Sequence, residues 1–100
     1  MQNNKSKSLN KFWQVYIIRC CDSKLYTGIT NNLERRIKAH NSGNGCRFTK
    51  YRTPIKLLYN ESCPDRSAAL KREASIKAFP RKQKLALIKK SRKPNTRVKK

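Results

Sequence analysis

Trp13-Gln14-Val15-Tyr16-Ile17-Ile18-Arg19-Cys20, followed by Cys21-Asp22-Ser23 and then by Lys24-Leu25-Tyr26-Thr27-Gly28-Ile29, sets the architecture of the chain. The first run is dominated by β-branched and aromatic residues and reads as a buried strand. Cys21-Asp22-Ser23 supplies turn chemistry, so the run from Lys24 reads as the hairpin partner. Downstream, Thr30-Asn31-Asn32 offers N-cap candidates, and Leu33 to Asn41 has helical spacing, stopped near Gly43. Pro54 to Tyr59 reads as a third strand with Ile55, Leu57 and Tyr59 on one side. Asp65 can cap a helix over Ser67 to Phe79, and Pro80 suits the first turn of a further helix through Ile88. Hairpin strands followed by packed helices predict an α+β fold.

The ends of the chain differ from this core. Residues 1–11 read as a flexible basic arm, and residues 89–100, with no acid and one aliphatic residue, as a disordered basic tail. The folded domain is then about residues 12–88. A chain of 100 residues holds one domain and buries roughly 60–70% of its unfolded surface on folding. Twenty-six Lys and Arg against five Asp and Glu give a net charge of +21, which attracts polyanions. Nucleic acid is the expected partner. No apolar run approaches the length of a membrane span and no secretory signal opens the sequence, so no membrane association is expected and a cytoplasmic location is. Cys20, Cys21, Cys46 and Cys63 lack the spacing of a zinc site and read as free thiols in a reducing compartment.

Helical geometry separates side chains that the sequence writes side by side. At about 100° per residue from Leu33, Ile37 lies at about 40°, His40 at about −20° and Arg36 at about −60°, all on the apolar side. Arg35 falls near 200°, in solvent. In the next helix Ala69 and Ile76 lie within about 60° of Glu73, so this carboxylate sits beside an apolar face. An ionised carboxylate there needs a charged partner. Two readings follow: an ion pair with Arg72 or another arginine, or a metal ligand. Tyr16 and Tyr26 read first as cross-strand core residues, with a role in a site as the lesser reading. His40 reads as a cation at a helix C-terminus unless it belongs to a site. Phe48 and Tyr51, interleaved with Arg47, Lys50 and Arg52, could stack an unpaired base or pack a loop onto the core.

These segments together resemble the GIY-YIG nucleases, and among them the small stand-alone bacterial YhbQ-like members. Gln14-Val15-Tyr16 stands where the family has Gly-Ile-Tyr, and Tyr26-Thr27-Gly28 where it has Tyr-Ile-Gly. Asn32 to Asn41 resembles the family's arginine helix, Thr53 to Tyr59 its third strand, and Ala68 to Glu73 its glutamate helix. Gln14 replaces the first glycine, and no equivalent of the family's later Asn can be placed. The resemblance covers about residues 13–88. It implies a three-stranded antiparallel sheet flanked by helices, and a nuclease that hydrolyses phosphodiester bonds in DNA repair or processing. The implied site residues are Tyr16, Tyr26, Arg36, His40 and Glu73, with Gly28 letting the backbone approach closely. Glu73 would hold one Mg²⁺ or Mn²⁺ ion, Arg36 a phosphate oxygen, and Tyr16 or His40 would serve as general base. Arg47, Lys50, Arg52, Lys89, Lys90, Arg92 and Lys93 are the expected nucleic-acid contacts, and a monomer or weak dimer the expected state. The alternative is a non-catalytic basic protein bound to RNA or the ribosome.

Overall fold

The computed structural model describes residues 12–97, with side chains to residue 91. The arm at residues 1–11 and the last three residues of the expected tail lie outside the described residues. Strand β1 (Trp13–Arg19) forms the centre of an antiparallel sheet of order β2-β1-β3, flanked by β2 (Leu25–Thr30) and β3 (Lys56–Cys63). Helix α1 (Leu33–Asn41) follows β2, and helices α2 (Arg66–Ala78) and α3 (Arg81–Arg97) follow β3. The fold is α+β, as the sequence pattern predicts. No described helix is long and apolar enough to cross a membrane.

Val15 to Ile18 form a continuous apolar run because both faces of the central strand are covered. Val15 and Ile17 pack with Cys63, Ala69, Ile76 and Ile88 on the side of α2 and α3. Tyr16 and Ile18 pack with Cys20 and Ile55 on the other side, under Leu33, Ile37, Tyr26 and Phe48. The hairpin turn is closed by the Cys20 and Ser23 backbone N–H groups and by the Asp22 carboxylate, which accepts from the Lys24 N–H. Asn32 caps α1 by accepting the Arg35 N–H at 3.2 Å, and Asp65 caps α2 by accepting the Ala68 N–H at 2.8 Å.

The third strand departs from the sequence expectation in one respect. Ile17 faces Tyr59 while Ile18 faces Leu57, so Leu58 is an extra residue in β3. This bulge shifts the alternation by one. Leu57 therefore joins the Tyr16 side and Tyr59 the Val15 side, where strict alternation places them together. Beyond the bulge, pairing with Trp13 to Ile17 carries the strand on to Cys63.

Helix α3 also runs past Ile88 to Arg97, through most of the segment read as a disordered tail. Extending a helix already docked through Leu87 and Ile88 needs no new nucleation, and Lys and Arg are good helix formers. The Ser91 hydroxyl donates to the Ile88 carbonyl at 2.9 Å.

The segment between α1 and β3 returns to the sheet through two anchors. At its base the Asn41 side chain accepts the Ile55 N–H at 2.7 Å and donates to the Ile55 carbonyl at 3.5 Å. Near its far end Arg52 donates to Asp22 at 3.0 Å and to the Phe48 carbonyl at 2.7 Å.

Candidate active site

Three elements converge on the Tyr16 face of the sheet. Gly28 lies opposite Tyr16 across the β1–β2 ladder. A Cβ on Gly28 would stand 2.5 Å from the Tyr16 hydroxyl and 2.7 Å from Cζ, so a glycine is required for the ring to cross this strand. What lies against the Gly28 backbone here is the Tyr16 phenol itself. Helix α1 then brings Arg36 and His40 to the same hydroxyl. Arg36 Nε donates to Tyr16 Oη at 3.3 Å, and His40 Nε2 lies 2.9 Å from it. Arg35 is exposed, as the helical angles require.

His40 is fully buried rather than an exposed cation at the helix end. Burial, and then the Arg36 charge, lower its pKa to about 4, so it is neutral at pH 7. Its Nδ1 lies 2.8 Å from the Thr49 hydroxyl, which no sequence signal marks. The Tyr16 pKa is raised: burial dominates, and the hydrogen bond and charge of Arg36 oppose it only in part. Tyr16 thus keeps its proton in the resting site. Reciprocally, the hydrogen bond to Tyr16 raises the Arg36 pKa.

Tyr26 flanks this string, with its ring 6.4 Å from Tyr16, 5.5 Å edge-on from His40 and 5.5 Å stacked on Phe48. Burial, then a hydrogen bond to Cys46, raises its pKa. Burial pushes the Cys46 thiol up, but hydrogen bonds from Thr49, Tyr26 and Phe48 outweigh it and hold the pKa below the ordinary value. Cys46 and Thr49 are site neighbours that pattern reading misses, because they lie in a loop with no periodicity. The nearby Gly45 is the one available signal of close packing.

Glu73 sits with its side chain 17% exposed, paired at 3.2 Å with Lys77 one turn along α2. The Arg72 partner envisaged for it is instead held by Glu61, whose two carboxylate oxygens accept from Arg72 Nε at 2.9 and 3.2 Å. Adjacent helix residues do not face one another, which leaves Arg72 free to reach β3. The Glu73 charge reaches Tyr16 and contributes to raising its pKa. Among the described residues no three His, Cys, Asp or Glu side chains gather as a metal cage. A single carboxylate fits a Mg²⁺-type ion, which keeps most of its water.

Of the expected nucleic-acid contacts, Arg47 and Lys50 are exposed on the loop beside the site, with Lys50 Nζ 5.5 Å from the Tyr51 ring centroid. Arg52 is committed to Asp22 and Phe48. Phe48 is packed between Tyr26 and Arg52, whereas Tyr51 is 85% exposed. Lys89 and Lys90 are exposed on α3, which packs on the opposite face of the sheet. Arg92 and Lys93 lie farther along α3, and their side chains fall outside the described ones.

The depressed His40 pKa makes a stability prediction. Between pH 4 and 6.5 the unfolded chain binds the proton that the folded site refuses, so stability rises with pH across this window and falls toward pH 4. The His40 contribution across it is about 3 kcal/mol. Urea unfolding of wild type and His40→Gln at several pH values should yield a stability difference that narrows in acid. A constant difference would mean that His40 titrates normally.

The chain matches the GIY-YIG catalytic domain over residues 12–86. It is 51% identical over 82 residues to a UPF0213 protein of Desulfotalea psychrophila, covering 81% of this chain and 74% of that one. The solution structure of a UPF0213 protein from Bacillus halodurans superposes with a TM-score of 0.52 at 36% identity, over 78% of this chain and 83% of the other. That of a protein from E. faecalis gives 0.59 at 34% identity, over 85% and 91%. The residues that meet at Tyr16 come from both signature strands and from the arginine helix, and with this breadth of similarity the chain belongs to the GIY-YIG family, alongside its small UPF0213 members.

Proposed function

We propose that the protein is a nuclease that hydrolyses phosphodiester bonds of DNA with the help of one divalent ion. The observation that carries this reading is the string Arg36–Tyr16–His40, set against Gly28 and within reach of the Glu73 charge. Arg36 binds a non-bridging phosphate oxygen, to which its planar fork is suited. Glu73 would hold Mg²⁺ or Mn²⁺, which when bound supplies charge stabilisation at the phosphate and the leaving oxygen.

Tyr16 has no exposed surface in the resting site, so its hydroxyl is reached when a bound phosphate draws the Arg36 guanidinium off it; Tyr16 then orients the attacking water and exchanges protons with it. As the water oxygen bonds to phosphorus, its proton passes to Tyr16 while the phenolic proton moves to His40. The phosphorus bond to the leaving strand breaks, and the leaving oxygen takes a proton from solvent. Burial keeps His40 neutral at rest and the Arg36 charge adds to it; an anionic phosphate on Arg36 offsets this second, smaller cause and so makes His40 a somewhat better acceptor. Tyr26 holds the phosphate side of the site. The exposed Arg47, Lys50 and Tyr51 lead a strand to the site, whereas the basic surface of α3 around Lys89 and Lys90, across the sheet from it, is left to phosphates beyond the scissile one.

The test is cleavage of single-stranded, duplex and branched DNA, and of RNA, by the full chain. Turnover of a DNA substrate with Mg²⁺ or Mn²⁺ and its loss on chelation are expected. Tight binding to every substrate with no cleavage under any ion would defeat the proposal in favour of a non-catalytic nucleic-acid-binding protein.

A further inference from the structure

The hydrogen bonds around His40 have a direction, and it can be worked out from the Arg36 end. A guanidinium has donors only, so Arg36 can offer Tyr16 a proton but never accept one. Tyr16 has no exposed surface, and its phenolic proton needs a partner inside the protein. His40 Nε2, at 2.9 Å, is the acceptor in reach, which requires that nitrogen to be unprotonated. A neutral imidazole carries one N–H, so it is on Nδ1. Nδ1 lies 2.8 Å from Thr49 Oγ1. Thr49 is also fully buried, and its own hydroxyl proton has two acceptors in Cys46, the carbonyl at 3.4 Å and the sulfur at 3.6 Å, either of which leaves a lone pair for His40.

We propose that Thr49 is a positioning residue that fixes His40 as the Nδ1–H tautomer, so that its Nε2 lone pair always faces the Tyr16 hydroxyl. The opposite tautomer orphans the buried Tyr16 proton, which disfavours it roughly tenfold to a hundredfold. Gly45 supports the arrangement from the flank. A Cβ there would overlap the imidazole and lie 2.7 Å from His40 Cα, so the loop backbone lies against the ring and blocks its rotation. Thr49 touches neither phosphate nor water in this scheme and acts only through His40. Its catalytic consequence rests on the nuclease reading, whereas the tautomer rests on the geometry alone.

The experiment uses the full chain with ¹⁵N-labelled histidine, whose single residue makes the spectrum unambiguous. At pH 7 the imidazole nitrogens of wild type should report the Nδ1–H form alone. Thr49→Val strands the Nδ1 proton just as the other tautomer strands the Tyr16 proton, so it should give a mixture of the two forms, and Thr49→Ser should restore the wild-type pattern. Cleavage should fall roughly tenfold to a hundredfold in Thr49→Val, the range typical for losing the group that orients a functional histidine, and recover in Thr49→Ser. A proton on Nε2 in wild type, or an unchanged tautomer and unchanged turnover in Thr49→Val, would overturn the proposal. The predicted tautomers in a protein that cleaves nothing would uphold the positioning and defeat only the nuclease reading.

Discussion

Glu73→Ala is expected to lower DNA cleavage about a thousandfold or more while leaving DNA affinity and folding close to wild type. The size follows from removing the carboxylate proposed to hold the ion, because several kcal/mol of charge stabilisation at the phosphate disappears with it. The folding side is equally well defined. Glu73 makes a single i,i+4 pair with Lys77, whose side chain is 53% exposed. Such pairs contribute only about 0.3–0.5 kcal/mol. Removing an anion from a phosphate site should also leave binding unchanged or slightly tighter. Cleavage rates, DNA titration and urea unfolding on the same preparation separate these effects. Glu73→Ala cleaving within a few-fold of wild type would remove the ion-holding role.

Tyr16→Phe should be the next most severe change. The substitution deletes one oxygen that serves two partners at once, Arg36 Nε and His40 Nε2. With no hydroxyl to pass a proton between water and His40, turnover should fall about 10²–10⁴-fold, the span of a lost general acid–base group. Stability should drop by about 1–3 kcal/mol because His40 loses a buried hydrogen-bond partner. That loss still leaves most chains of an ordinary domain folded, so activity per folded molecule is the quantity to compare. A rate unchanged by Tyr16→Phe would move the proton-transfer role elsewhere.

Much of the site is legible in the residue order because helices and strands repeat. The angle between Arg35 and Arg36 follows from helical geometry alone, and the structure places Arg36 on the Tyr16 hydroxyl and Arg35 in solvent. The inward lean of Glu73 follows in the same way, and its side chain is largely covered. Other features have no such repeat. The bulge at Leu58 is a matter of register between strands distant in sequence, and it sends Leu57 and Tyr59 to opposite faces. The pairing of Arg72 with Glu61 joins a helix to a strand eleven residues earlier. Burial of His40 depends on a loop that folds back over the helix end, carrying Gly45 and Thr49. Local pattern cannot foresee any of these, because each is decided by what the rest of the chain brings into contact. The length of α3 is a further instance: composition alone reads residues 89–100 as a disordered tail, whereas the helix docked at Ile88 continues to Arg97.

The double hydrogen bond between Asn41 and Ile55 has a consequence for diversification. It pinches the chain at the point where the loop leaves the helix and rejoins the sheet, and Thr49 and Arg52 hold the loop again further along, so that only Lys50 and Tyr51 between them project freely. Changes in loop length add little closure cost when the ends are already held together. The segment around exposed Lys50 and Tyr51 can therefore be lengthened, shortened or exchanged as a cassette. Relatives could acquire new substrate preferences at this rim while the inner residues Gly45 and Thr49 and the sheet beneath them stay as they are.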